Sequence, residues 1–191
     1  MPIRRILTCA TAAAALLVPA ATTRAHAATP GRANPLVDLT DVVAQRVLVS
    51  DQVAAAKFPD QPIDAPAREQ EELGAVRESA VELGLDPDAT VAFFRDQIAA
   101  SKVVQHGLFD YWRADPAAAP TSKPDLGGIR VELDQITTKL LTDLQQTKHL
   151  RESPACGPLR TTAELKVTAD RHLDPLHFIA LLRAMPSACT S

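Results

Sequence analysis

The segment Pro87–Trp112, PDATVAFFRDQIAASKVVQHGLFDYW, decides the fold. Phe94, Ile98, Ser101, Gln105, Leu108 and Trp112 recur in it at steps of three and four residues, the spacing that places side chains on one face of an α-helix. Asp86 and Pro87 supply an N-cap followed by proline at the first helical position, which predicts a long helix from there to about Trp112. Upstream, Asp64 and Pro66 supply first-turn chemistry for a helix that starts near Ala67 and stops at Gly84. A first helix is carried by Leu36, Leu39, Val43, Val47, Val53 and Ala54 and persists to about Phe58, with Pro59 to Pro66 as a loop.

Downstream, Asp115 to Pro124 contains three prolines and reads as a connector. Leu126, Ile129, Leu133, Ile136, Leu140 and Leu144 then carry a helix to about His149. Ser153-Pro154 and Gly157-Pro158 are expected to break it, leaving two shorter helices over Arg160 to Arg171 and Pro175 to Met185. The predicted fold class is all-α, a bundle of three long helices plus shorter C-terminal helices.

Composition excludes several alternatives. Of 191 residues, 46% are hydrophobic and 23% charged, which argues against a disordered or collagen-like chain. Aromatic residues make up only 4% and β-branched runs are few, so an all-β fold is excluded. A pI near 5.9 leaves no basic surplus for nucleic-acid phosphates.

The first 27 residues read as a signal peptide: Arg4 and Arg5, the apolar run Ala10 to Ala21, then Ala25-His26-Ala27 as a small-residue cleavage site. An uncleaved anchor is the alternative, against which the run is short and alanine-rich. Cleavage near Ala27/Ala28 predicts a secreted or periplasmic domain spanning residues 28–191, with Ala28 to Asn34 as a linker. Losing Arg4, Arg5 and Arg24 leaves 17 basic residues against 23 acidic and moves the formal charge from −3 to −6, which disfavours a membrane-surface role. Cys9 falls in the leader, so Cys156 and Cys189 form an even pair in an oxidising compartment and suggest a disulfide. A zinc site is the weaker alternative, because two isolated cysteines lack paired ligand spacing.

The polar residues that interrupt apolar stripes carry the chemistry. Arg46 and Lys57, eleven residues apart, are separated by about three turns and share one face. Taken alone, both could snorkel at the bundle edge. Ser101 and Gln105 sit inside a buried stripe, where an unpaired amide or hydroxyl costs about 1–3 kcal/mol, so each needs a partner from protein, water or ligand. Arg68 and Glu72 form an i,i+4 surface pair on the simplest reading, and Arg130 flanks the stripe of the fourth helix. Together, Arg46, Lys57, Arg68 and Arg130 with Ser101 and Gln105 describe a pocket for a small dicarboxylate, since the guanidinium fork matches a carboxylate. His106, His149, His172 and His177 are expected as surface or packing residues without partners.

These residues also carry a resemblance. Val53-Ala54-Ala55-Ala56-Lys57, Pro62-Ile63-Asp64, Arg68-Glu69, Gly84-Leu85-Asp86-Pro87, Ala100-Ser101-Lys102, Gln105, Trp112, Pro124-Asp125-Leu126, Arg130 and Arg171-His172-Leu173-Asp174 stand in the order found in secreted all-α chorismate mutases. The sequence resembles the exported, gamma type of the AroQ class, and Cys156 and Cys189 resemble the disulfide of its actinobacterial members. The resemblance implies conversion of chorismate to prephenate in a homodimer with each active site inside one chain. It implies no cofactor, metal or covalent step. Lys57 and Gln105 would donate to the breaking ether oxygen, Arg46 and Arg130 would hold carboxylates, and Arg68 would assist. Glu69 or Glu72 would accept from the ring hydroxyl, Ser101 would contact that hydroxyl or a carboxylate, and Asp64 would fill the family's loop-aspartate role. Two alternatives remain: a non-catalytic secreted helical binding protein, and an isochorismate pyruvate lyase on the same fold.

Overall fold

A computed structural model describes residues 34–190; the expected leader and linker residues 28–33 lie outside them. The helices are α1 (Leu36–Lys57), α2 (Pro66–Glu82), α3 (Pro87–Ala114), α4 (Leu126–Gln146), α5 (Lys148–Arg151), α6 (Cys156–Asp170) and α7 (Pro175–Ala184). Single 3-10 turns follow α3 and α7, and no strand occurs among the described residues. No helix among them is long and apolar enough to cross a membrane.

Local chemistry explains the boundaries. Asp86 accepts from the N–H of Ala89 at 2.8 Å ahead of Pro87, as its position before a proline implies. Asp125 caps α4 by accepting from the N–H groups of Gly127 and Gly128 at 3.0 and 2.9 Å. Gly84 has φ +68°, a left-handed conformation that glycine adopts without a Cβ penalty, and there the chain leaves α2 and turns toward α3.

The long α3 packs against α1, α2 and α7, whereas α4 and α6 pack against α1. Leu36, Leu39, Val43, Phe93, Phe94, Val104, Leu140, Leu144 and Leu181 are fully or almost fully buried in the shared core. Burying a side chain of this size stabilises the fold by about 1.5–3 kcal/mol relative to exposure. A second cluster joins Ala54, Phe109 and Trp112 to Phe58, whose ring centroid lies 5.2 Å from each of the two aromatic rings. It fixes the C-terminal end of α1, and with it Lys57, beside α3.

The C-terminal third differs from expectation in three places. The fourth helix ends at Gln146 rather than near His149, and the chain restarts after Thr147 as the single turn α5. Gly157-Pro158 does not break the chain: α6 begins at Cys156, so Pro158 falls in its first turn, where a missing N–H costs nothing. The Cys156–Cys189 disulfide is formed and closes a separation of 33 residues. A loop of that length contributes roughly 3.8 kcal/mol in the chain-entropy account.

The third difference is His177. It is 6% exposed, and its Nδ1 and Nε2 each lie 2.8 Å from a carboxylate, Asp174 on its own helix cap and Asp51 on α1. His106, His149 and His172 are exposed, as expected. The hydrogen bond to Asp51 outweighs the effect of burial, and with Asp174 assisting it pushes the imidazole up from 6.5 to about 9. Because the folded-state value is raised, the charged imidazole's contribution to stability is fully present below about pH 6.5 and is lost as pH rises through about 9. A His177→Asn variant should therefore melt below the wild type at pH 6, with the gap narrowing toward pH 10. Thermal unfolding across that range checks it, and a gap that widens with pH would contradict the ion pair.

Candidate active site

Helical phase on four elements brings the polar residues together around a cavity of about 170 Å³. α1 supplies Arg46, Val53 and Lys57; α2 supplies Arg68, Glu69 and Glu72; α3 supplies Ile98, Ser101, Lys102 and Gln105. α4 supplies Leu126, Ile129, Arg130, Leu133, Asp134 and Thr137, and the loop before α2 adds Ile63 and Ala65. Among the lining residues are five cations, Arg46, Lys57, Arg68, Lys102 and Arg130, and three carboxylates, Glu69, Glu72 and Asp134.

Arg46 is 5% exposed, so it does not snorkel. Its Nη2 donates to Glu72, its Nη1 donates to Thr137 Oγ1 at 3.3 Å, and its buried Nε has no partner. Glu72 therefore pairs with Arg46, and Arg68 pairs instead with Glu71 at 3.0 Å, correcting the expected Arg68–Glu72 surface pair. Lys57 donates to the carbonyl of Ile63 at 2.8 Å, which fixes its ammonium and leaves two of its hydrogens for other acceptors. Burial lowers the pKa of Lys57, with the neighbouring carboxylates of Glu69 and Asp64 opposing.

Gln105, 4% exposed, donates to Ser101 Oγ at 3.0 Å and to the Ser101 carbonyl at 3.3 Å, and its Oε1 is buried without a partner. Ser101 is half-buried rather than fully enclosed. Arg130 lines the cavity from an exposed position.

Asp64 is exposed and is not among the lining residues; its carboxylate lies 2.7 Å from Lys102 Nζ. Lys102 also holds Glu69 at 2.8 Å, and Glu69 accepts from the N–H of Ala65 at 3.2 Å. Burial opposes ionisation of Glu69, but hydrogen bonds from Lys102 and Ala65 prevail and keep its carboxyl below the ordinary value. For Lys102, burial is likewise outweighed by its two carboxylates, and its pKa is raised. The loop between α1 and α2 is thus tied to α3 at the cavity rim.

Lys102, Thr137 and Asp134 are site residues that the sequence reading passed over. Thr137 stands seven residues after Arg130, the same face two turns on, and Lys102 stands three before Gln105. Those spacings were the available signal.

The fold and site define an all-α bundle protein with a cation-rich, partly apolar pocket between four of its helices. A family model described as chorismate mutase type II matches residues 37–106. The secreted chorismate mutase of Mycolicibacterium smegmatis is 39% identical over 163 residues, 85% of this chain and 90% of that protein. The secreted chorismate mutase of Mycobacterium tuberculosis is 33% identical over 157 residues, 82% of this chain and 79% of that protein. Among solved structures, the chorismate mutase of Burkholderia phymatum superposes with a TM-score of 0.78 at 33% identity, covering 83% of this chain and 98% of that one. The Burkholderia thailandensis chorismate mutase gives 0.77 at 33% identity, covering 82% and 99%. The chain belongs to the type II chorismate mutase family.

The Arg46–Glu72 pair makes a stability prediction. Removing one partner of a largely buried ion pair leaves an uncompensated charge, whereas removing both does not. Glu72→Ala should cost about 2–3 kcal/mol in urea unfolding, and adding Arg46→Met should recover part of that loss. A double variant less stable than Glu72→Ala would count against the pairing.

Proposed function

We propose that this protein is an exported chorismate mutase that converts chorismate to prephenate within the pocket of a single chain. The observation that carries the reading is the convergence of Arg46, Lys57, Arg68, Arg130, Ser101 and Gln105 on one cavity, in a chain of this family. Lys57 and Arg130 make no ion pair with a carboxylate among the described residues, which suits a dianionic substrate.

In the proposed mechanism the rearrangement is unimolecular: the enolpyruvyl ether bond breaks as a carbon–carbon bond forms. The protein's task is to hold the flexible substrate in its reactive chair and to stabilise charge growing on the ether oxygen. Lys57, fixed by the Ile63 carbonyl, and Gln105 donate to that oxygen. Arg46, through its unpartnered Nε, and Arg130 hold carboxylates, with Arg68 assisting. Glu72 or Glu69 accepts from the ring hydroxyl, and Ser101 contacts that hydroxyl or a neighbouring carboxylate. Asp64 acts from the rim through Lys102. The leader is removed near Ala27/Ala28, residues 28–191 form the mature domain, and two chains assemble as a homodimer. Relatives named as secreted support the export.

An acceleration of about 10⁶ requires roughly 8 kcal/mol of transition-state stabilisation, and a single preorganised donor supplies about 3. Lys57→Ala should accordingly lower turnover by about 10² or more, and Arg46→Ala should also raise KM. The test is loss of chorismate, with prephenate identified as product. A folded Lys57→Ala protein with unchanged turnover would sink the assignment. Pyruvate release from isochorismate, with chorismate untouched, would instead favour the lyase.

The pH profile gives a separate check. The Gln105 amide donates at any pH, so it should impose no acid optimum between pH 5 and 8. Since burial lowers the Lys57 pKa, activity should fall on the alkaline side at a pH below the ordinary lysine range. A steep acid optimum that disappears on substituting Gln105 would contradict the first expectation.

A further inference from the structure

The polar network of the pocket continues inward to a residue that does not line it. Ser50 is 1% exposed and lies on the α1 face that carries Arg46, Val53 and Lys57, at steps of four, three and four residues. Its Oγ is 2.9 Å from Ser101 Oγ and 3.3 Å from the carbonyl of Arg46. A buried helical serine needs only that i−4 carbonyl to satisfy its hydrogen, so the contact with Ser101 is additional.

Gln105 Nε2 donates to both the hydroxyl and the carbonyl of Ser101, and the free atom of the amide is Oε1, an acceptor. An ether oxygen needs a donor. Gln105 therefore has to release a hydrogen from Ser101 when substrate enters, and Ser101 Oγ then loses a donor in a site from which substrate has excluded water. Ser50, which donates to that oxygen at 2.9 Å, is the donor that remains.

We infer that Ser50 is a positioning residue for the rearrangement, acting through Ser101 to free the amide of Gln105; this rests on the reading of Gln105 as a donor to the ether oxygen. The hydrogens balance before and after. Ser50 donates to Ser101 Oγ, and Gln105 Nε2 donates to that same oxygen and to the Ser101 carbonyl. With substrate bound, Nε2 keeps the carbonyl and presents its other hydrogen to the ether oxygen, while Ser50 continues to donate to Ser101 Oγ. That oxygen keeps a donor and each hydrogen keeps an acceptor.

Ser101 is only half-buried, so in a Ser50 variant solvent replaces the lost donor until substrate enters. Substrate excludes that solvent, so the loss falls on the bound complex and grows with the charge on the ether oxygen. Ser50→Ala and Ser50→Cys, the latter similar in size but a weak donor, should each lower kcat about three- to tenfold with KM changed less than about twofold. In a Ser101→Ala background, Ser50→Ala should cost nothing further, because the link to Gln105 is already cut. Steady-state kinetics with chorismate on the folded variants reads all of these. Unchanged kcat in Ser50→Ala, or the same loss with and without Ser101, overturns the inference while the role of Gln105 stands. Full turnover in Gln105→Ala overturns that role, and this inference with it.

Discussion

A guanidinium held inside a helical bundle is the constraint around which the site is organised. Arg46 projects from the buried face of α1, where desolvating its charge would cost several kcal/mol if nothing met it. Glu72 from α2 and Thr137 from α4 meet it. α2 packs chiefly on α3, so the Glu72 pair links it to α1, whereas the Thr137 bond reinforces the packing of α4 on α1. The same charge that threatens the core therefore sets the spacing of the cavity walls, and the donor left over, Nε, points to what the cavity takes.

The helices were legible because their signals are local. Asp86-Pro87 opens α3, Gly84 closes the turn after α2, and the three-four stripes of α1, α3 and α4 hold along their whole length. Half of the site was legible for the same reason: Arg46 with Lys57, and Ser101 with Gln105, share a face by arithmetic on a single helix. Partnerships across helices were not, because the rotation of one helix against another is set by core packing rather than by spacing. Glu72 therefore read as a neighbour of Arg68 when it faces Arg46, 26 positions away. Asp51, 126 positions from His177, carried no sequence sign of the pairing. Gly157-Pro158 misled for a different reason: proline is tolerated in a first turn, and the dipeptide alone does not distinguish a stop from a start.

The pocket rests on α3, and α3 is braced from behind. Its far side packs on α7, where buried Gln97 donates to the Ala184 carbonyl at 2.7 Å. The end of that segment is in turn fixed by Arg151, which donates to the Ala188 carbonyl at 2.7 Å beside the Cys156–Cys189 bond. His177 ties α7 to α1 through Asp51. The C-terminal helices contribute no lining residue to the cavity, yet they hold the two helices that carry Lys57 and Gln105.

Such bracing matters to the proposed mechanism, because a reaction without a covalent step draws its acceleration from donors already in place. A donor that must be ordered during the reaction loses in entropy much of what it contributes in electrostatics. Under that proposal Lys57 meets the requirement by leaning on the Ile63 carbonyl of a loop that Lys102 secures through Asp64 and Glu69. Under the same proposal Gln105 meets it differently, since its Nε2 is held by the hydroxyl and carbonyl of Ser101 and must exchange one of them rather than be ordered. One donor is held still and the other is held ready, and the difference follows from chemistry: an ammonium has three equivalent hydrogens and can spare two, whereas an amide turned toward its own helix has none to spare.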